Sequence, residues 1–224
     1  VMIAYCGLDC SECPAYVATQ SGDPAALERI FEHAPTMVVT HCEHSPTIWD
    51  NEAKARAEYG DSVPMSEHPA IRSAAACLKS SSMAAELARR FDALLHVLHL
   101  TTAVEMALFS KAHRSDKRIT AEVCVHHLWF DESRYEDLGT RIKCNPAIKA
   151  ASDRAALVKA LNEGRIDVIA TDHAPHTASE KKQSYFKAPA GLPLVQHALQ
   201  VLFDLSARGE ISRELIVDRA CHAP

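Results

Sequence analysis

The chain has 224 residues, 47% of them hydrophobic and 24% charged, a globular composition with room for one large domain or two small ones of roughly 150 residues or less. Lys and Arg number 24 against 29 Asp and Glu, a net charge of -5, and there is no long basic run to neutralise phosphates or anionic lipids, which argues against nucleic-acid and membrane partners. No apolar stretch approaches the roughly 18 residues of a spanning helix and the opening VMIAYCGLDC lacks a signal-peptide pattern, so a cytoplasmic protein is expected.

The first 22 residues stand apart. Three of the 8 Cys (Cys6, Cys10, Cys13) crowd there, while Cys42, Cys77, Cys124, Cys144 and Cys221 are scattered singles, which is not the distribution of a disulfide framework. From residue 23 onward, strands alternate with helices. Asp23-Pro24 opens a helix through Phe31, residues 36–40 (TMVVT) read as a strand, and Ser45-Pro46 opens a helix to Tyr59. Residues 66–91 read as helix in pieces, 94–98 (LLHVL) as strand, 101–112 as helix and 119–125 (ITAEVCV) as strand. Residues 153–162 read as helix, 166–170 (IDVIA) as strand, and 194–207 and 212–220 as helices. Such alternation implies crossover connections and a parallel sheet. The charged stretch 179–187 reads as a solvated loop that could act as a mobile lid.

Polar residues of reactive type follow the apolar runs directly: His41-Cys42-Glu43 after TMVVT, His99 after LLHVL, and Thr171-Asp172-His173 after IDVIA. In parallel α/β folds the carboxyl ends of the strands carry the site, and in an eight-stranded barrel they form one rim. Four strand-helix units cannot close such a barrel, so the chain is either a different open sheet or part of a barrel. The sequence contains 13 His, and neutral imidazole is the commonest metal ligand. Singly, His41 or His99 is more often structural; together at strand ends with Asp172 they point to a divalent metal such as zinc. His96, His126 and His127 also lie near strand ends and stay open as alternatives. Asp172 could shuttle a proton or, more plainly, cap nearby amides in an Asx turn, and His176 shares its Pro-containing loop. Asn145, in the loop Lys143-Cys144-Asn145-Pro146, and the loop from Lys187 to Pro193 could present hydrogen bonds to a small polar ligand. With 7 Gly and no glycine-rich phosphate loop, ATP and NAD are not expected.

Taken together, Thr40-His41-Cys42-Glu43, His99-Leu100-Thr101-Thr102, Ile119-Thr120-Ala121-Glu122 with His126-His127-Leu128, Lys143-Cys144-Asn145-Pro146, Thr171-Asp172-His173-Ala174-Pro175-His176 and Ala188-Pro189-Ala190-Gly191-Leu192-Pro193 resemble the second half of dihydroorotase. That family comprises metal-dependent cyclic amidohydrolases on a TIM barrel. The resemblance runs from about Asp23 and implies a partial (β/α)8 barrel of about four strand-helix units over residues 23–224. It also implies reversible, zinc-dependent interconversion of (S)-dihydroorotate and N-carbamoyl-L-aspartate in pyrimidine synthesis. By the resemblance, His41 and His99 are ligands of one zinc, and Asp172 is both a ligand of the other and the proton-transfer residue. Asn145, His176, Ala190 and Gly191 match substrate-binding positions. Hydantoinases and allantoinases share the frame, and a non-catalytic metal-binding or scaffold protein is the alternative of a different class.

The family's first-strand His-x-His-x-Arg and the segment with its metal-bridging carboxylated lysine have no counterpart here, so a two-zinc site is incomplete and the chain alone is expected to be inactive. Open sheet edges would favour self-association, including a homo-oligomer. Residues 1–22 resemble the opening of an unrelated, uncharacterised family of small cysteine-rich bacterial proteins. Their three thiols could begin a zinc or iron-sulfur site, but no fourth ligand is identifiable. The preferred reading is a segment of foreign origin, joined by gene prediction or assembly, that binds no metal as it stands.

Overall fold

The computed structural model describes residues 24–224; the expectations for residues 1–22 and for the junction at 22/23 lie outside them. Four short strands form one sheet in chain order: β1 (Val38–Thr40), β2 (Leu95–Val97), β3 (Ile119–Cys124) and β4 (Val168–Ala170). Every neighbouring pair is parallel, with Val38 opposite Leu95, Leu95 opposite Ile119, and Glu122 opposite Val168. Leu95, Val97, Ala121 and Val123 are fully enclosed. That is the reason the two middle runs read as nearly continuous apolar sequence, since a parallel sheet is covered on both faces.

The connections are helical: α1 (Pro24–His33), α2 (Ser45–Tyr59), α3 (Ala74–Arg90), α4 (Val125–Trp129), α5 (Ala151–Asn162), α6 (Ala198–Ala207) and α7 (Arg213–Val217), with short helical turns between them. Local chemistry sets their limits. The His44 ring accepts a hydrogen bond from Thr47 N at the start of α2, and Gly60, at φ +62°, ends it. Ser73 caps α3 through Ala76 N, and the small residues Ala76, Ala84, Ala85 and Ala88 form its buried face.

The expected helix over 101–112 is instead a 3-10 stretch, Ala103–Leu108. Long-range bonds replace the regular ladder there. Thr101 Oγ1 donates to Ala147 O at 3.0 Å, and the buried Glu105 carboxylate turns inward to accept from Ser81 (2.8 Å) and Thr102 (2.6 Å). The helix read over 212–220 ends as α7 at Val217 and continues as a wide π turn, Asp218–His222.

The two ends of the sheet differ in kind. At the amino end, Lys117 Nζ and Asp167 Oδ1 form a fully buried ion pair at 2.7 Å; Lys117 also donates to Gly164 O, and Asp167 Oδ2 accepts from Ala121 N at 3.1 Å. This network ties the entry of β3 to the entry of β4. At the carboxyl end the histidines and Asp172 emerge. Among the described residues no helix is long and apolar enough to cross a membrane.

Candidate metal and substrate site

His41 follows the last residue of β1, His99 lies two residues beyond β2, and Asp172 two beyond β4. His41 Nδ1 and His99 Nε2 meet at 2.9 Å, their rings edge to face. Behind His41, Glu43 Oε2 stands 2.9 Å from His41 Nε2 and is shared with the Arg72 guanidinium, while Glu43 Oε1 is buried without a hydrogen-bond partner among the described residues. Burial pushes the Glu43 carboxyl up, but the His41 hydrogen bond and the charges of Arg72 and His41 outweigh it and hold the group below its ordinary range. An ionised Glu43 takes the hydrogen of His41 Nε2, which in the neutral ring leaves the lone pair at Nδ1, facing His99. His99 is buried, and burial followed by the His41 charge pulls its pKa down to about 4.

His99 (φ +36°) and Asp172 (φ +46°) both adopt the left-handed conformation that side chains with a Cβ rarely take. Asp92, the third such residue among those described, lies in the turn before β2, at the other end of the sheet. The chain therefore turns sharply at the two strand ends where candidate site residues leave the sheet. Burial, then the Glu122 charge, raises the pKa of Asp172, with His41 opposing, so these charged groups feel one another. The Asx-turn alternative is not what is found: among the described residues the Asp172 carboxylate makes no hydrogen bond.

Glu122 also orders the neighbourhood of His99. Its Oε1 accepts from His99 N at 3.4 Å, and its Oε2 faces His96 Nε2 at 3.3 Å, with His96 Nδ1 on Thr120 Oγ1 at 2.9 Å. His96 is thus engaged within the sheet, whereas His99 is the histidine brought to His41. His126 and His127 are buried in α4; burial takes His126 down to about 3 and lowers His127 as well.

The remaining candidates are gathered by a loop. His173 Nδ1 accepts from Leu194 N and Val195 N, both at 3.0 Å, and so has a structural role. His176 Nε2 donates to Ala190 O at 3.1 Å, and Asn145 Oδ1 is buried with no partner among the described residues. Gly191 sits at φ +136°, and a Cβ there would lie 2.5 Å from Ala174 O. Its N–H is donated to Lys143 O at 2.9 Å, so Gly191 shapes the loop instead of offering that amide to a ligand.

The segment 179–187 is mostly exposed, as expected of a solvated stretch, but it is anchored at Lys181 and Tyr185. Thr177 and Glu180 form a capping box on the helical turn Ala178–Lys181. Lys181 is buried, its Nζ donating to the carbonyls of Lys143, Pro189 and Gly191 at 2.9, 2.9 and 3.0 Å, and Tyr185 is buried as well. Lys143 Nζ donates in parallel to Tyr185 O and Ala188 O. Burial pulls each lysine down to about 8. Charge composition does not reveal the buried Lys181, because three converging carbonyls, one of them 38 residues away, solvate the ammonium in place of water.

Zinc takes imidazole nitrogens at about 2.0–2.1 Å and suits neutral rings whose second nitrogen is held by a carboxylate. The converging pair, the Glu43 carboxylate behind one ring and the low pKa of the other make a donor set that fits such an ion. The sequence singles out Glu43 as a reactive-type residue but assigns no role to Glu43, Arg72 or Glu122. The His41-Cys42-Glu43 triplet and Ile119-Thr120-Ala121-Glu122 were visible, but nothing local marks Arg72.

No protein-family model matches the sequence. The chain is 32% identical over 212 residues to a dihydroorotase of Halobacterium salinarum, covering 91% of this chain and 47% of that protein. It is also 32% identical over 214 residues to a dihydroorotase of Carboxydothermus hydrogenoformans, covering 92% and 49%. Among solved structures, the L-hydantoinase (dihydropyrimidinase) of Arthrobacter aurescens superposes with a TM-score of 0.82 at 22% identity, over 90% of this chain and 46% of that one. A dihydroorotase of Saccharomyces cerevisiae in complex with 5-fluoroorotic acid gives 0.53 at 20% identity, over 64% and 43%. At these identities the structures speak to fold, and the four parallel strands with their helices are part of a TIM barrel. The chain spans about half the length of the curated relatives it matches. Over most of its length the chain is similar in sequence to dihydroorotases, and its fold matches part of the hydantoinase fold.

Proposed function

We propose that residues 23–224 form part of a dihydroorotase-type site, in which His41 and His99 hold a metal ion and Asp172 serves a metal and moves the proton. The substrates are (S)-dihydroorotate and N-carbamoyl-L-aspartate. The observation that carries this reading is the 2.9 Å approach of His41 Nδ1 to His99 Nε2 across two strand ends, with Glu43 2.9 Å behind His41. Zinc, when bound, supplies activation of water and polarisation of the amide carbonyl.

The chain's own residues supply the rest. Glu43 and Arg72 fix the orientation and tautomer of His41. Asp172, with its pKa raised by burial and by Glu122, takes a proton from the attacking water and returns it to the leaving amide nitrogen; ring closure runs the same transfers backwards. The buried, unpartnered Asn145 Oδ1 is an acceptor suited to an N–H of the cyclic amide. His176, tied to Ala190, holds the loop of Ala190 and Gly191 against the substrate. A hydantoinase-like activity has the fold neighbours in its favour, whereas the sequence relatives favour dihydroorotase.

The test joins these residues to the complementary half of a close relative and assays ring closure together with hydantoin hydrolysis. Dihydroorotase turnover is expected in the joined protein, with negligible turnover in the 224 residues alone. Asp172→Asn in the joined protein is expected to lower kcat by roughly 100-fold or more. Full activity after that substitution, or hydantoin as the sole substrate, would overturn the reading.

A further inference from the structure

Cys124 ends β3 and α4 begins at once, so His126 and His127 fall in the first turn of that helix and are buried. The Cys124 Sγ and one ring nitrogen from each of these histidines all lie within 4.8 Å of one another. Both ring nitrogens of His126 and Nδ1 of His127 are buried without a hydrogen-bond partner among the described residues. A neutral imidazole has one N–H and one lone pair, and in protein interiors both are normally partnered. His127 Nε2 donates to Pro146 O at 3.1 Å, which places its lone pair on the unpartnered Nδ1. A backbone carbonyl on the far nitrogen is also how metal-binding histidines are commonly held.

We propose that Cys124, His126 and His127 form a buried three-coordinate site for a single thiophilic metal ion, separate from the His41 and His99 pair, and that copper(I) is the ion it suits best. One thiolate and two imidazoles are a soft donor set, and a monovalent ion on that set is electrically neutral, whereas a divalent one leaves a net charge in a fully enclosed place. On binding, the Cys124 S–H bond gives way to an S–Cu bond and the proton leaves to solvent; the metal does not change oxidation state. Sulfur and nitrogen ligands around one ion of this size lie roughly 3.3–3.8 Å apart, so the three atoms need to close only modestly. Cys144 is not counted as a ligand: its Sγ donates to Pro146 O and lies 3.9 Å from Nε2 of His127, the nitrogen already engaged. The inference does not depend on the proposed function.

The test uses the full chain with Cys6, Cys10 and Cys13 changed to Ser, titrated anaerobically with copper(I) against a chromophoric chelator. One equivalent per chain is expected to be retained and to raise Tm. Cys124→Ala and His126→Gln are each expected to weaken retention at least 10-fold and remove the Tm rise, while His197→Ala, at an exposed histidine, keeps both. Should both variants fail to fold, X-ray absorption of the copper-loaded parent decides, with one sulfur and two nitrogen neighbours expected. No retained copper, equal retention by parent and variants, or an all-sulfur environment overturns the proposal.

Discussion

Glu43 and His41 are joined through a 2.9 Å contact between Oε2 and Nε2, and the same carboxylate oxygen is paired with Arg72. Orienting carboxylates of this kind set the basicity of the ring they hold, and their loss commonly lowers metal affinity 10- to 100-fold. Glu43→Ala is therefore expected to weaken zinc binding at the His41 and His99 pair by about that factor, and Glu43→Gln by less, since its amide oxygen still accepts. Competition against a zinc chelator measures both. Unchanged affinity in Glu43→Ala would remove the orienting role.

Gly191→Ala should be poorly tolerated. The added Cβ would meet the Ala174 carbonyl oxygen at 2.5 Å, at a φ of +136° that alanine rarely adopts. Backbone has to shift to relieve both, and a loss of about 2–3 kcal/mol is expected. A urea titration that superposes on the parent would show that the loop relaxes freely.

Asp167→Ala leaves the Lys117 ammonium buried without its counter-ion and is expected to cost roughly 3–5 kcal/mol. The double change Lys117→Met with Asp167→Leu removes both charges and should recover a large part of that loss. Failure of the double variant to improve on the single one would assign the effect to the Asp167 bond with Ala121 N instead of to the ion pair.

His68 predicts a pH dependence. Its Nε2 donates to Cys144 O and its Nδ1 accepts from Tyr185 Oη, both at 2.8 Å, and burial pulls its pKa from 6.5 down to about 3. Below pH 6.5 the unfolded chain takes up a proton that the folded chain refuses until about pH 3. The stability associated with neutral His68 is therefore complete above 6.5 and is lost as the pH falls through that window, by up to about 1.4 kcal/mol per pH unit. His68→Gln should flatten the slope of unfolding free energy against pH between 6 and 4 by up to about that amount. An unchanged slope would show that His68 does not control it.

The α/β class and the placing of His41, His99 and Asp172 at strand ends were readable because short apolar runs and the first polar residues after them are local signals. The strands proved shorter than the runs that announced them. Ile166 and Asp167, read as strand, precede β4 and serve the core and the Lys117 pair. What could not be read depends on partners distant in sequence: Arg72 reaching back to Glu43, or Lys181 among the carbonyls of Lys143, Pro189 and Gly191. Residues 101–112 fail for the same reason, since helical periodicity carries no record of Glu105 turning inward to Ser81.

The sheet order β1-β2-β3-β4 repeats the order of the chain. Each strand that leaves the ribosome finds its neighbour already made, so the sheet can grow by accretion, one strand-helix unit at a time, without threading a later segment between earlier ones. The same rule makes the architecture modular. β1 and β4 are seams at which further units of the same kind can be laid down in register, and a rim of functional residues lengthens with each addition while the inner strands stay undisturbed.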